Sequence, residues 1–428
     1  MTENDAAWQK VFEALDLASG LRDRGFCCLT ADELKAHGRR EPRLMAKMDT
    51  LRDRPAVFEE HQVNLFPVRN GRYVLFKDPG NRTYFRFGGA LDQVLPQRHF
   101  SPIDLGRFDT FPAGDQVSES QAIDFAFVAG LLQRFFGEAK VHLTIRGRLF
   151  SERFAFRPPA AEQDIEVSKV QIEVDAGYEG ADAIFLLEAK VGRRDDFNIR
   201  QLYYPFLNWS AKSRKRIVPI FLTFTNGQYF LTEFAFAPRF GDLSIVRTEC
   251  WSINDSPIAD IDWPRLFREV ACESEAAPFP QADDLDKVVD LVKLAGSGLA
   301  DKTQFAEFFE FDERQGDYYA NAAKYLGLLE RDGHGFQLTE LGAAFNRLTA
   351  RAERTTCIAR QFLKRPALRR IVELLAARNY LLASLGEEEI SGIIAESARL
   401  NPTTARRRAL TARVWMAWLL KNSRAGGG

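Results

Sequence analysis

Three things are missing from this chain of 428 residues. The first is net charge. Its 58 Lys and Arg are offset by 59 Asp and Glu, a formal balance of −1. No global field draws it to nucleic acid, and any such contact must come from local basic patches. The second is paired cysteine. Five cysteines stand scattered at 27, 28, 250, 272 and 357, with no C-x-x-C spacing, and the five histidines are equally dispersed. Neither a zinc site nor a disulfide framework is expected, and a reducing cytoplasm is the simplest compartment. The third is a long apolar run. No stretch approaches the length of a membrane span, and the opening MTENDAAWQK is acidic and polar, unlike a secretory signal.

What is present is the composition of an ordinary globular protein, 46% apolar and 27% charged. The length suits two to four domains, each able to bury its own core. The most informative stretch is Gln171 to Phe206, QIEVDAGYEGADAIFLLEAKVGRRDDFNIRQLYYPF. It holds two short apolar strands that end in acids. Val170 to Val174 runs into Asp175, and Ile184 to Leu187 runs into Glu188-Ala189-Lys190. Strand residues two apart share a face, so Glu188 and Lys190 point together, on the side of Ile184 and Leu186. An apolar strand that ends by presenting a carboxylate and an ammonium breaks its own burial pattern, as strands do where a site is built.

The chemistry this suggests is metal-assisted hydrolysis of a phosphodiester. Carboxylates on adjacent strands, Asp175 and Glu188, can hold Mg²⁺, which prefers oxygen ligands and keeps several waters. Such a cation acidifies a coordinated water and neutralises charge growing on phosphoryl oxygens. Lys190 beside them would steady the attacking hydroxide or the scissile phosphate. The bland alternative is a solvated Glu188–Lys190 ion pair at a sheet edge, worth little. The acid-tipped strand before it, the short link bearing Gly177 and Gly180, and the helix after it argue for a site.

Asp175 and Glu188-Ala189-Lys190 resemble the motif of the PD-(D/E)XK nuclease superfamily, with Val174 where a proline usually stands. The resemblance is specific from Asp175 to Tyr204, looser from Ser118 to Phe236, and architectural elsewhere. It implies a mixed sheet flanked by helices, in α-β-β-β-α-β order. It also implies Mg²⁺ on Asp175 and Glu188, with Mn²⁺ as a substitute. Glu119, on the helix before the first strand, is the acid it carries over as a further catalytic residue, with Asp124 as second choice. Gln201 and Tyr204, on the helix after the motif, would hydrogen-bond the DNA backbone near the cut, and Arg193 and Arg200 would offer charge. The whole is similar to a type II restriction endonuclease. That implies sequence-specific cleavage of double-stranded DNA, dimerisation, and a cognate DNA methyltransferase in the same system. A repair, transposition or anti-phage nuclease, or a catalytically inactive DNA-binding regulator, remain the alternatives.

Around this core the sequence suggests three further units. Residues 1–112 read as a winged-helix-like domain plus connector. Thr30 to Glu33 is a capping box, Arg39, Arg40, Arg43 and Lys47 precede a second helical pattern through Phe58, and Asn70-Gly71 centres a hairpin. Tyr84 to Phe111 reads as an irregular connector. Residues 113–272 hold the nuclease domain, opened by a helix from Ser118 to Phe136. Residues 273–350 follow winged-helix order again, with a turn at Asp332 to Gly335. Residues 351–428 form a basic helical end of helix-turn-helix kind. Arg351, Arg354, Arg360, Arg369 and Arg370 crowd one part of it, and Arg406, Arg407 and Arg408 open its last helix, where a recognition helix meets DNA.

Overall fold

The computed structural model describes residues 2–111, 118–274, 278–309, 311–333 and 335–425. The boundary residues 112 and 113, the linker residues 275–277, the turn residue His334 and the glycine tail 426–428 lie outside them.

The first unit begins with α1 (Glu3–Ala14), which buries Ala7, Trp8, Val11 and Phe12. α2 (Leu17–Arg24) and β1 (Phe26–Thr30) lead to α3 (Ala31–Gly38), opened by the Thr30–Glu33 capping box. The second helical pattern, read through Phe58 after the basic stretch, appears only as short pieces. Proline fits the start of a helix and not its interior. With Pro42 at the first position of one helix and Pro55 capping another, the chain makes only α4 (Pro42–Met45) and α5 (Ala56–Glu60). β2 (Val63–Arg69) and β3 (Arg72–Lys77) form the hairpin about Asn70-Gly71, where Gly71 takes φ +69°. β1 joins it in the order β1-β3-β2. The hairpin read from the sequence thus forms within a three-stranded sheet, and a four-residue helix occupies the basic stretch before it.

The connector is more ordered than its composition suggests. It supplies β4 (Tyr84–Arg86) and β5 (Pro96–His99). α6 (Glu119–Val128) starts on Ser118, whose hydroxyl accepts from the Gln121 N–H at 3.2 Å. Gly130, at φ +80°, ends it and starts α7 (Leu131–Phe136), so the single expected helix is two. Then follow β6 (His142–Phe150), β7 (Phe154–Phe156), β8 (Ile165–Val167), β9 (Gln171–Glu179), β10 (Ala183–Val191) and β11 (Asp196–Asn198). After these come α8 (Arg200–Ser210), β12 (Arg216–Thr225), β13 (Gln228–Phe236) and β14 (Leu243–Ile253).

Seven of these strands form one mixed sheet in the order β5-β14-β13-β12-β10-β9-β6. β10 lies parallel to β12 and antiparallel to β9. Every residue of β10 is buried, Glu188 and Lys190 included, as befits a strand covered on both faces. α6 and α7 cover one face, packing Ile123, Leu131 and Phe135 with Phe185 and Leu187. α8 covers the other, setting Phe206 and Trp209 against Val174, Ile184 and Leu186. Gly177 lies inside β9, not in a link. β6 passes so close that a Cβ there would meet the Ile145 Cβ at 2.7 Å.

The remainder is β15 (Ala259–Ile261), α9 (Trp263–Glu269), α10 (Leu285–Gly296), α11 (Lys302–Phe309), α12 (Glu313–Tyr325), β16 (Leu329–Asp332) and β17 (Gly335–Leu338). α13 (Glu340–Asn346), α14 (Arg351–Lys364), α15 (Pro366–Ala377), α16 (Glu387–Ala398), α17 (Pro402–Asn422) and β18 (Ser423–Ala425) complete it. The three helices, hairpin and helix of α10 to α13 keep the order read from the sequence. The two C-terminal units expected separately share one core, however, running from Ala259 to Leu419. Phe362 of α14 stacks on Trp415 of α17 with centroids 5.6 Å apart.

The basic stretch of α14 and α15 is not a free surface. Arg351 and Arg354 are fully buried and grip the β12–β13 turn, Arg351 through the Asn226 carbonyl at 2.8 Å and Arg354 through the Asn226 side chain at 2.7 Å. Arg369 donates to the Val270 and Phe267 carbonyls, and Arg360 and Arg370 pair with Glu269 and Glu396. Among the described residues, no helix is long and apolar enough to cross a membrane.

Candidate active site

β9 and β10 stay paired as far as Leu187 opposite Ala176, and then part. At the point of parting, the Asp175 side chain takes over from the ladder. Its Oδ2 accepts from the Ala189 N–H at 2.8 Å. β10 continues alone on its other side, still paired with β12 through Glu188, Ala189 and Lys190. The period-two alternation keeps Glu188 and Lys190 on the face of Ile184 and Leu186, and both are buried. Lys190 Nζ donates to Glu188 Oε1 at 2.8 Å. The same oxygen accepts from Gln201 Nε2 at 2.8 Å, and Gln201 lies in the first turn of α8. Glu119, in the first turn of α6, lies 3.4 Å from Lys190 Nζ. Two strands and two helix starts therefore bring Glu119, Asp175, Glu188, Lys190 and Gln201 together.

The charges in this cluster do not balance. Among the described residues, three carboxylates meet one ammonium. Burial pushes the Glu188 carboxyl up to about 8 despite Lys190, and the charges of Asp175 and Glu119 add to the rise. Asp175 is also raised, by burial first, against the opposing pull of Lys190 and the Ala189 N–H. Each of these two carboxylates has one oxygen held and one to spare. Among the described residues no hydrogen bond reaches Asp175 Oδ1 or Glu188 Oε2.

Spare carboxylate oxygens in a site of surplus negative charge suit a hard divalent cation such as Mg²⁺. Among the described residues, no three His, Cys, Asp or Glu side chains form a ready cage for a metal. Asp175 and Glu188 could each offer one oxygen to such a cation, whose other positions water would have to fill.

The cluster lies at the bottom of a cleft of about 630 Å³. Its floor is acidic and its rim is basic, with Arg43, Lys47, Arg69, Arg148 and Arg200 among the lining residues. Glu173 also lines it and pairs with Arg148 at 3.3 Å. Asp124, the second choice for the helix acid, is taken by Arg146 at 2.5 Å.

The other sequence-predicted residues divide sharply. Arg43 and Arg200 line the cleft. Tyr204 does not offer it a hydroxyl. It is fully enclosed, packs on Phe66 and Phe154, and donates to the Pro67 carbonyl at 2.8 Å. Arg193 turns to a different cavity between the sheet and the C-terminal core, paired with Asp92 at 2.6 Å. Arg40 pairs with Glu3 away from the cleft. Arg406, Arg407 and Arg408 open α17, none of them among the cleft residues. Arg406 faces Glu388 at 4.0 Å, and burial lowers the pKa of Arg408.

Sequence reasoning missed Arg69 and Asn70 as cleft residues. They flank a turn that periodicity marks only as a turn, and their place over the carboxylates comes from packing between units.

Three family models match the chain, each described as a domain of unknown function. They cover residues 5–75 (DUF6996), 85–252 (DUF6997) and 287–424 (DUF7226). These spans fall on the N-terminal unit, the large sheet and the C-terminal core. No curated protein and no solved structure matches the chain.

Proposed function

We propose that this protein is a Mg²⁺-dependent nuclease of the PD-(D/E)XK kind, cutting double-stranded DNA at defined sequences as type II restriction endonucleases do. One observation carries the reading. Three carboxylates, a lysine and a glutamine from four separate elements meet at the parting of β9 and β10, under a rim of arginine and lysine.

In this reading Asp175 and Glu188 hold the cation. Gln201 and Lys190 both donate to Glu188 Oε1 and so orient its other oxygen. When bound, the cation polarises the phosphodiester and acidifies a coordinated water. Lys190 Nζ, already within reach of two carboxylates, donates hydrogen bonds that steady the attacking hydroxide or a non-bridging phosphate oxygen, and keeps its own proton. Glu119 then competes with substrate for Lys190 and restrains it between turnovers. The basic rim holds flanking phosphates. A second copy of the site would cut both strands in one binding event, so a homodimer on DNA belongs to this reading.

The test is to incubate the purified protein with unmethylated phage DNA and Mg²⁺ and to sequence the fragment ends. Discrete ends, lost in Asp175→Ala and Glu188→Ala while DNA binding persists, are the expected result. Variants that cut as fast as the parent would remove these residues from the chemistry. A methyltransferase encoded beside the protein that blocks cutting favours restriction over repair or transposition.

A further inference from the structure

The N-terminal unit is not an appendage. The hairpin strands β2 and β3 place Phe66, Val74 and Phe76 in one aromatic core with Phe154, Phe156, Tyr204 and Phe240 of the central unit. Backbone bonds add to this: the Ser168 N–H donates to the Val68 carbonyl at 3.0 Å, and the Asn198 N–H to that of Asp49 at 2.8 Å. The side chain of Asn198 donates to the Met48 carbonyl at 2.9 Å. The hairpin tip is thus held in place by well-packed groups. Its residues Arg69, Asn70 and Gly71 line the same cleft as Asp175, Glu188 and Lys190, and so do Arg43 and Lys47 of α4 and the turn after it.

The cations on this wall differ from those of α14 and α15. Most arginines near buried or packed surfaces are spent on carboxylates or carbonyls of the same chain. Among the described residues, Arg43, Lys47 and Arg69 make no ion pair and no side-chain hydrogen bond, and all three are exposed. Asn70 beside them is exposed as well. The turn projects polar side chains from the end of the three-stranded sheet β1-β3-β2, and paired β-strands are one of the two kinds of element that enter the major groove of B-DNA. Arginine contacts guanine and asparagine contacts adenine there, each through two hydrogen bonds. Cations set back from the tip are suited to phosphates, which position the duplex without reading it.

We infer that the β2–β3 turn is the sequence-reading element of the cleft, with Arg69 and Asn70 on base edges and Arg43 and Lys47 on the backbone of the same duplex. This rests on the nuclease reading for its substrate. It goes beyond that reading in assigning specificity to the N-terminal hairpin and away from the arginines that open α17.

The experiment uses the full-length protein and two double variants, Arg69→Ala/Asn70→Ala and Arg43→Ala/Lys47→Ala. All four positions are exposed, and thermal melts check that folding is intact. Cleavage of phage DNA with sequencing of the ends reports specificity, and titration of a labelled duplex across a salt series reports affinity. The hairpin variant is expected to cut at a broadened set of sequences, with discrimination reduced about tenfold or more. The Arg43/Lys47 variant is expected to keep the site preference, bind every duplex more weakly, and lose about two from the slope of log affinity against log salt. Arg69→Lys, which keeps charge but not the two-pronged donor, is expected to restore affinity and not specificity. A hairpin variant with the parent's cut sites and KM overturns the inference while leaving the nuclease reading standing. If no form of the protein cuts DNA, the chemistry fails. The binding arm then decides the wall, which is overturned if both variants bind as the parent does.

Discussion

Two clusters of buried charge lie on either side of the large sheet's end, and they are opposites. At the β12–β13 turn, Arg351 and Arg354 meet Asp286, Asp290, Asn226 and Asn422. Asp286 Oδ1 accepts from Arg351, Asn226 and Trp418, each at 2.9 Å. Burial raises the Asp286 carboxyl, but Arg351 and the hydrogen bonds outweigh it and hold the group below the ordinary carboxylate range. At the β9–β10 parting, burial wins and Glu188 climbs to about 8. Both clusters are largely buried. In the first, both Asp290 oxygens accept hydrogen bonds, from Thr225 and Asn226, yet burial still raises that carboxyl to about 6, and the network joins units. The other opens on a cleft and leaves Asp175 Oδ1 and Glu188 Oε2 without a hydrogen bond among the described residues. Unfilled carboxylate oxygens, more than burial, set it apart from the network that joins units.

The strongest way to break the comparison is Arg351→Ala. Leaving Asp286 and the Asn226 carbonyl buried without their partner should destabilise the fold by about 3–5 kcal/mol in chemical denaturation. A loss within error would show the network to be idle.

The site should behave in the opposite sense. A carboxyl whose folded pKa lies above its unfolded value binds more protons when folded, so it takes stability away as pH rises from the unfolded to the folded value. Without metal, the parent should therefore lose stability relative to Glu188→Gln between about pH 4.5 and about pH 8, by up to a few kcal/mol. Melting curves of the two proteins across that range check it, and a gap that narrows with pH would contradict the raised Glu188. The same shift predicts that Mg²⁺ binding at pH 7 expels about one proton, and far less at pH 9. Calorimetry in two buffers of different ionisation enthalpy measures that count.

The smallest effect is expected where charge is solvated. Arg406 and Glu388 are both largely exposed and 4.0 Å apart, so Arg406→Ala should shift stability by less than about 0.5 kcal/mol. If replacing Arg406 and Arg407 together also flattens the salt dependence of DNA binding, α17 touches the duplex. If not, binding belongs to the cleft alone.

Much of the site was legible because it is local. Glu188 and Lys190 share a face through the two-residue period of a strand, and Gln201 follows on the next helix. Asp175 was legible as an acid at a strand tip, although its strand runs on to Glu179. Gly177 misled because a glycine required by the nearness of Ile145 looks the same in sequence as one in a turn. Tyr204 misled because a helical tyrosine shows its spacing but not whether Phe66 and Pro67 wait above it.

By itself the amino-acid order determined what depends on near neighbours: the capping box at Thr30, the Asn70-Gly71 hairpin, the apolar run Ile184 to Leu187 that leads into Glu188, and the helical succession of the C-terminal part. Tertiary structure alone decided which cations are spent and which are left. It buried Arg351 and Arg354 while leaving Arg43, Lys47 and Arg69 on the rim, and it fused two predicted C-terminal units into one core. The physical reason is that backbone geometry repeats over two to four residues. A charge's surroundings, by contrast, are set by segments a hundred residues away, and no local spacing records which of them will arrive.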